Sequence, residues 1–204
     1  MALPNPVSIP EFSLEEFQAF AAAQDGFWEL HEGVPVRMES ASEEHQWISL
    51  EIAVAFRAYM KGRKCRALQE LDVWTGRMPF SEAARKRKAS VRRPDVLIYC
   101  DQEQRQHGVI LSPQLVVEIW SPTNTNKEFR NKLKEYYRIG VKEYWQIDYG
   151  EPGFTILSFA DGGIRFLPDG DDFHKPLESE YFPGLKVDLS EYYIRFADTA
   201  AIEQ

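Results

Sequence analysis

Three residues stand out because their chemistry conflicts with their surroundings. Asp95 and Glu118 each interrupt an otherwise apolar run, Pro94-Asp95-Val96-Leu97-Ile98-Tyr99 and Leu115-Val116-Val117-Glu118-Ile119-Trp120. Runs of this kind read as strands covered on both faces. Taking a carboxylate out of water there costs several kcal/mol unless a cation or hydrogen bonds compensate. If the strands are neighbours, both carboxylates can converge at one sheet end, where Mg2+, a hard ion that takes carboxylate, water and phosphate oxygens, would suit them. Taken singly, each also has an ordinary reading, at a strand end in water or beside an arginine. Lys132 tilts the balance. It lies three residues after Phe129 and four before Tyr136, inside the apolar stripe Phe129, Leu133, Tyr136 and Tyr137 of a helical pattern. A lysine in that stripe either snorkels to water or meets an anion.

The elements that must position these residues follow from local signals. Ser13-Leu14-Glu15-Glu16 has the capping-box pattern of a helix start, with Gly26 beyond its end. Residues 27–38 read as a hairpin turning at Glu32-Gly33. A second capping box, Ser40-Ala41-Ser42-Glu43, opens a helix whose apolar residues Ile48, Ile52, Ala55, Phe56 and Tyr59 recur at three and four, ending near Gly62. Two β-prone stretches follow, around residues 65–68 and 72–75. Ser121-Pro122 stops the Glu118 strand, and Thr125-Asn126-Lys127-Glu128 is a third capping box, opening the Lys132 helix that ends at Gly140. Because this helix directly follows the Glu118 strand, it packs back on the sheet and can aim Lys132 at the carboxylates. Residues 141–148 form a further strand, 154–159 and 164–167 flank Asp161-Gly162-Gly163 as a hairpin, and 189–196 close the fold as an amphipathic stretch. Without repeats or linkers, the chain reads as one α+β domain over residues 1–204.

Composition bounds the partners. The chain has 204 residues, 44% of them apolar, enough for a sizeable core. No run approaches a membrane span and the start lacks a signal-peptide pattern, so a cytoplasmic protein without membrane attachment is expected. With two cysteines and no CxxC, neither a disulfide scaffold nor a zinc site is indicated, and Cys65 and Cys100 read as small buried apolar residues. No small organic cofactor is expected. A net charge of −8 argues against a dedicated nucleic-acid coat. Yet Arg85, Lys86, Arg87, Lys88, Arg92 and Arg93 fall within nine residues just before Pro94-Asp95, a basic run able to contact phosphates or to lie as a solvated loop.

The combined pattern resembles a known family. Pro94-Asp95, Val116-Val117-Glu118-Ile119-Trp120-Ser121-Pro122, Lys132-Leu133-x-x-Tyr136 and Gly140-Val141-x-Glu143-Tyr144-Trp145-x-x-Asp148 are similar to the motifs of the Uma-two family of bacterial endonucleases, a branch of the PD-(D/E)XK superfamily. Glu29-Leu30-x-Glu32-Gly33 and His45-Gln46 extend the likeness, which covers roughly residues 27–190. The resemblance implies a restriction-endonuclease-like mixed sheet flanked by helices, with Asp95 as the PD aspartate and Glu118 as the acidic member of (D/E)XK. One departure matters: the superfamily lysine would stand two residues after Glu118, where this chain has Trp120. Lys132 matches the family's Lys-Leu-x-x-Tyr position, which implies that the lysine function has moved to the helix.

The resemblance further implies metal-assisted hydrolysis of DNA phosphodiesters, with Mg2+ or Mn2+ held by Asp95, Glu118 and the Ile119 backbone carbonyl, and a two-fold homodimer for cutting both strands. His45, on the apolar stripe of its helix and matching a family histidine, could touch phosphate or orient water, or could be a core histidine. Glu29 is a further metal candidate near a hairpin turn, where exposed carboxylates are ordinary. Tyr144 and Trp145 read as core packing rather than a base-stacking platform. Two other classes remain open at this point: a non-cleaving nucleic-acid- or protein-binding module on the same fold, and a buried ion network of Asp95, Glu118 and Lys132 without catalysis.

Overall fold

A computed structural model describes residues 11–77, 80, 89–121, 124–149, 153–159, 163–166 and 175–192. In chain order the elements are α1 (Leu14–Ala22), β1 (Trp28–His31), β2 (Val34–Arg37), α2 (Glu43–Met60), β3 (Arg66–Gln69), β4 (Val73–Trp74), β5 (Val91–Arg92), β6 (Val96–Tyr99), β7 (Arg105–Gln106), β8 (Val109–Ile110), β9 (Leu115–Trp120), α3 (Asn126–Arg138), β10 (Glu143–Asp148), β11 (Gly153–Ser158), β12 (Arg165–Phe166), β13 (Leu177–Glu178) and β14 (Lys186–Val187). They fall into two compact units, Met1–Ser40 with Trp74–Arg92 and Ala41–Val73 with Arg93–Gln204.

The first unit holds α1 and the β1–β2 hairpin. Ser13 caps α1 as its sequence predicts, its hydroxyl accepting from the Glu16 N–H while the Glu16 carboxylate accepts from the Ser13 N–H. The hairpin closes at His31↔Val34, leaving Glu32 and Gly33 as a two-residue turn with φ of 48° and 89°. Positive φ at both positions gives the primed turn whose twist matches paired strands, and glycine supplies the second one without strain. β5 joins the hairpin through Leu30↔Val91.

The second unit is a mixed six-stranded sheet in the order β12-β11-β10-β9-β6-β3, with a helix on each face. β9 and β10 are parallel and α3 makes the crossover between them, while β3, β6, β11 and β12 pair antiparallel with their neighbours. On one face, Ile48, Ile52 and Phe56 of α2 pack on Val96, Ile98, Leu115 and Val117, joined by Leu177, Val187 and Leu189 from the β13–β14 hairpin region. On the other, Tyr136 with Phe129 and Leu133 of α3 cover Leu97, Tyr99, Val116 and Tyr144. This two-sided cover is why β6 and β9 are apolar at nearly every position. Tyr144 and Trp145 are wholly buried, one in each core.

Three expectations are corrected. The α2 cap is Ser42 rather than Ser40: its hydroxyl accepts from the His45 N–H, so the helix begins at Glu43. Cys65 and Cys100 are not separate apolar residues but a disulfide. They occupy the next position beyond Arg66↔Tyr99 in the β3–β6 register, so antiparallel pairing brings together thiols that lie 35 residues apart. The stretch at 72–75 is a strand only at Val73–Trp74, with Val73 paired in parallel to Ile110 of a short β7–β8 hairpin not foreseen from the sequence. Of the closing stretch, Leu189 and Tyr192 are buried in the α2-side core, and residues 193–196 lie outside the described ones.

Candidate active site

The β6–β9 register fixes where the two carboxylates fall. Val96 pairs with Val117, so Asp95, just before β6, comes opposite Glu118 at one end of the sheet. Both are buried, with 8% and 4% of their surface exposed. The Asp95 Oδ2 accepts from the Ile119 backbone N–H at 2.6 Å, and its Oδ1 meets His45 Nε2 at 3.1 Å. Glu118 is gripped from α3: Lys132 Nζ donates to Oε2 at 2.6 Å, and the Tyr136 hydroxyl donates to Oε1 at 2.5 Å. Lys132 and Tyr136 are one helical turn apart, so α3 presents both donors from the same face. Capping of α3 at Thr125, whose hydroxyl accepts from the Glu128 N–H while Glu128 accepts from the Thr125 N–H, fixes its start.

The site is therefore reached from both faces of the sheet, by His45 on α2 and by Lys132 with Tyr136 on α3. Burial works against the His45 imidazolium. The hydrogen bond to Asp95 and the charges of Asp95, Glu118 and Glu70 outweigh it, and its pKa stands above the ordinary histidine value. Glu70 follows β3 in a left-handed conformation, φ 52°, and its N–H donates to the Asp95 carbonyl. His45 and Glu70 line a groove of about 860 Å3 beside α2, with Ser49 and Gln69 on its wall.

Asp95, Glu118, Lys132 and His45, all singled out in the sequence, thus lie together. Ile119 contributes its N–H to Asp95, whereas the resemblance implied a role for its carbonyl. Glu29 lies in the other unit, buried, its Oε2 accepting from Arg92 at 3.0 Å and meeting His31 Nε2 at 2.7 Å. Arg92 is buried by that ion pair, and Arg93 is paired with Asp72 at 2.8 Å. Arg85, Lys86, Arg87 and Lys88 lie outside the described residues. The sequence reading missed Tyr136 as a site residue because its ring belongs to the apolar stripe. The signal available was a hydroxyl four residues after a buried lysine.

Among the described residues, no three His, Cys, Asp or Glu side chains close on a common point as a fully protein-ligated ion would need. Two carboxylates at a sheet end are instead the donor set of Mg2+, which is held by one or two carboxylates and keeps the rest of its shell for water and phosphate. Asp95 and Glu118 fit that ion. No helix among the described residues is long and apolar enough to cross a membrane.

Comparison with known proteins agrees with this architecture. The model of the Uma2 family, described as "Putative restriction endonuclease", matches residues 14–190. A solved structure from Anabaena variabilis ATCC 29413, described as a putative nuclease belonging to DUF820, superposes with a TM-score of 0.67. It is 17% identical, and the alignment covers 90% of this chain and 98% of that one, a likeness of fold. No curated protein matches the chain.

Proposed function

This chain belongs to the Uma2 family, and from that premise we propose that it is a divalent-metal-dependent endonuclease that hydrolyses phosphodiester bonds of DNA. The observation that carries the reading is the arrangement at the sheet end: two buried carboxylates side by side, one held by Lys132 and the other by His45. Asp95 and Glu118, with the Ile119 carbonyl, would hold Mg2+ or Mn2+. Bound there, the ion would acidify water and neutralise charge on the phosphate. Ile119 N–H and Tyr136 keep the two carboxylates in place. The Lys132 ammonium, already directed into the site, would orient the attacking water and offset charge as the phosphate becomes five-coordinate. His45, hydrogen-bonded to Asp95, would hold the water or a phosphate oxygen on the α2 side.

Phosphate contacts along the DNA are assigned to Arg85, Lys86, Arg87 and Lys88. Arg92 and Arg93, engaged with Glu29 and Asp72, would support the chain leading to Asp95 rather than meet DNA as free charges. Glu29 is proposed as the partner of Arg92 before any metal role. Replacing Arg85, Lys86, Arg87 and Lys88 by serine should flatten the salt dependence of DNA affinity, and an unchanged slope would make the run a passive loop.

Incubation of supercoiled plasmid with the protein and Mg2+ or Mn2+ tests the reading. Nicked and linear products should form and EDTA should abolish them. A second reading, a non-cleaving binding module on the nuclease fold, draws on one feature: all four oxygens of Asp95 and Glu118 already accept or meet a protein donor. Absence of cutting on duplex and single-stranded substrates, together with absence of Mn2+ binding, would favour it.

A further inference from the structure

Helix α2 has two apolar faces, and among the described residues only one of them packs into the core. Ile48, Ile52 and Phe56 are wholly buried against the sheet. On the opposite side Leu50 and Val54 are 56% and 55% exposed in mid-helix, one turn apart, with Trp47 one turn before them at the edge of the core. At 100° per residue, Glu43, Leu50, Val54 and Lys61 fall within a narrow outward strip with Trp47 and Arg57 flanking it. The charges are ordered along this strip: Glu43 stands at its start, Arg57 and Lys61 at its end. All three are exposed, and none has an ion-pair partner among the described residues.

We infer that this face of α2 docks on the same face of a second copy of the chain, antiparallel and about a two-fold axis near residue 52. A two-fold contact must be self-complementary, since the same patch meets itself. This strip is: the operation places Leu50 on the partner's Val54, Glu43 on the partner's Lys61, and Trp47 under the partner's Arg57, an ion–ring contact. A parallel pairing would set Glu43 against Glu43 and Lys61 against Lys61. Charge order and apolar positions therefore select one partner and one direction. A single helix per copy is a modest contact at the lower end of stable interfaces, which start at roughly 1,200 Å2, so the association is concentration-dependent.

The consequence, resting on the nuclease reading, concerns His45 near the start of α2. Fourteen residues separate position 45 from its symmetry mate at 59, so the two sites lie about 21 Å apart along the helix axis. That span is roughly six steps of 3.4 Å on one DNA strand, short enough for two sites to act on one duplex.

Sedimentation velocity of the full chain without DNA or metal tests assembly independently of catalysis. Wild type should form dimers with rising concentration, and Leu50→Asp and Val54→Asp, at exposed positions, should each weaken the dimer about tenfold or more. Glu43→Lys and Lys61→Glu should each weaken it, and the double exchange should restore it, since the antiparallel pair regains opposite charges. A monomer at every concentration up to roughly 200 µM, well above the micromolar weak end of interface affinities, would overturn the inference. So would a dimer indifferent to Leu50→Asp and Val54→Asp, or a double exchange no stronger than its singles.

Discussion

Glu118 and Glu143 are two buried carboxylates on neighbouring parallel strands of one sheet, and their partners differ in kind. Glu118, towards the far end of β9, takes an ammonium from Lys132 and a hydroxyl from Tyr136, and faces the site that holds Asp95 and His45. Glu143, at the start of β10, is wholly buried, and among the described residues it accepts from neutral groups, including Trp145 Nε1 at 2.7 Å, Ser179 Oγ at 2.8 Å and the Tyr181 N–H at 2.9 Å. Burial pushes the Glu143 carboxyl above the usual range, and the hydrogen bonds from Trp145, Tyr181 and Ser179 only partly oppose it. Burial alone, then, does not mark an acid as functional. Glu143 pins the 179–181 segment to the sheet, whereas Glu118 shares a space with a second carboxylate and a cation.

Substitution at either acid separates the two roles. Glu118→Gln and Asp95→Asn should abolish plasmid cleavage while leaving the circular dichroism spectrum unchanged, because each keeps shape and removes a charge that would hold the ion. Lys132→Ala should retain metal binding and lose about 10²–10³-fold in cleavage rate in single-turnover kinetics, the usual cost of one electrostatic stabiliser. Glu143→Ala should do the reverse, costing on the order of 3 kcal/mol in urea unfolding by stranding three buried donors, with cleavage by the folded fraction intact. Loss of cleavage by folded Glu143→Ala would erase the distinction. With Tyr136→Phe, Glu118 loses one of two anchors, and cleavage should fall about fivefold for about 1 kcal/mol of lost positioning.

The smallest expected effect is on pH. Glu143 holds its proton more tightly folded than unfolded, so its contribution is complete below its unfolded pKa near 4.5 and is lost as pH rises through the elevated folded value. The stability advantage of wild type over Glu143→Gln should therefore shrink as pH rises above 4.5 in paired urea titrations. An advantage that grew with pH would mean an ionised, stabilising Glu143.

What the sequence disclosed depended on contrast. Asp95, Glu118 and Lys132 were legible because each breaks an apolar pattern, and the Thr125 and Ser13 capping boxes were legible because cap and third residue are unambiguous. Ser40 and Ser42 both suit the cap of α2, and only the Ser42 hydroxyl reaching the His45 N–H decides between them. Tyr136 was hidden because an aromatic on a buried stripe satisfies the packing pattern by itself. The Cys65–Cys100 bond depends on register between β3 and β6, which spacing does not encode. β5, β7 and β8 are two residues each, too short for any periodicity.

Asp95 and Glu118 are proposed to form a divalent-metal site in which Glu143 takes no part. Calorimetric titration with Mn2+ of wild type, Asp95→Asn and Glu143→Gln tests this most directly. Wild type and Glu143→Gln should give the same saturable binding, and Asp95→Asn should give none. Wild type that binds no Mn2+, or Asp95→Asn that binds it as wild type does, would contradict the account.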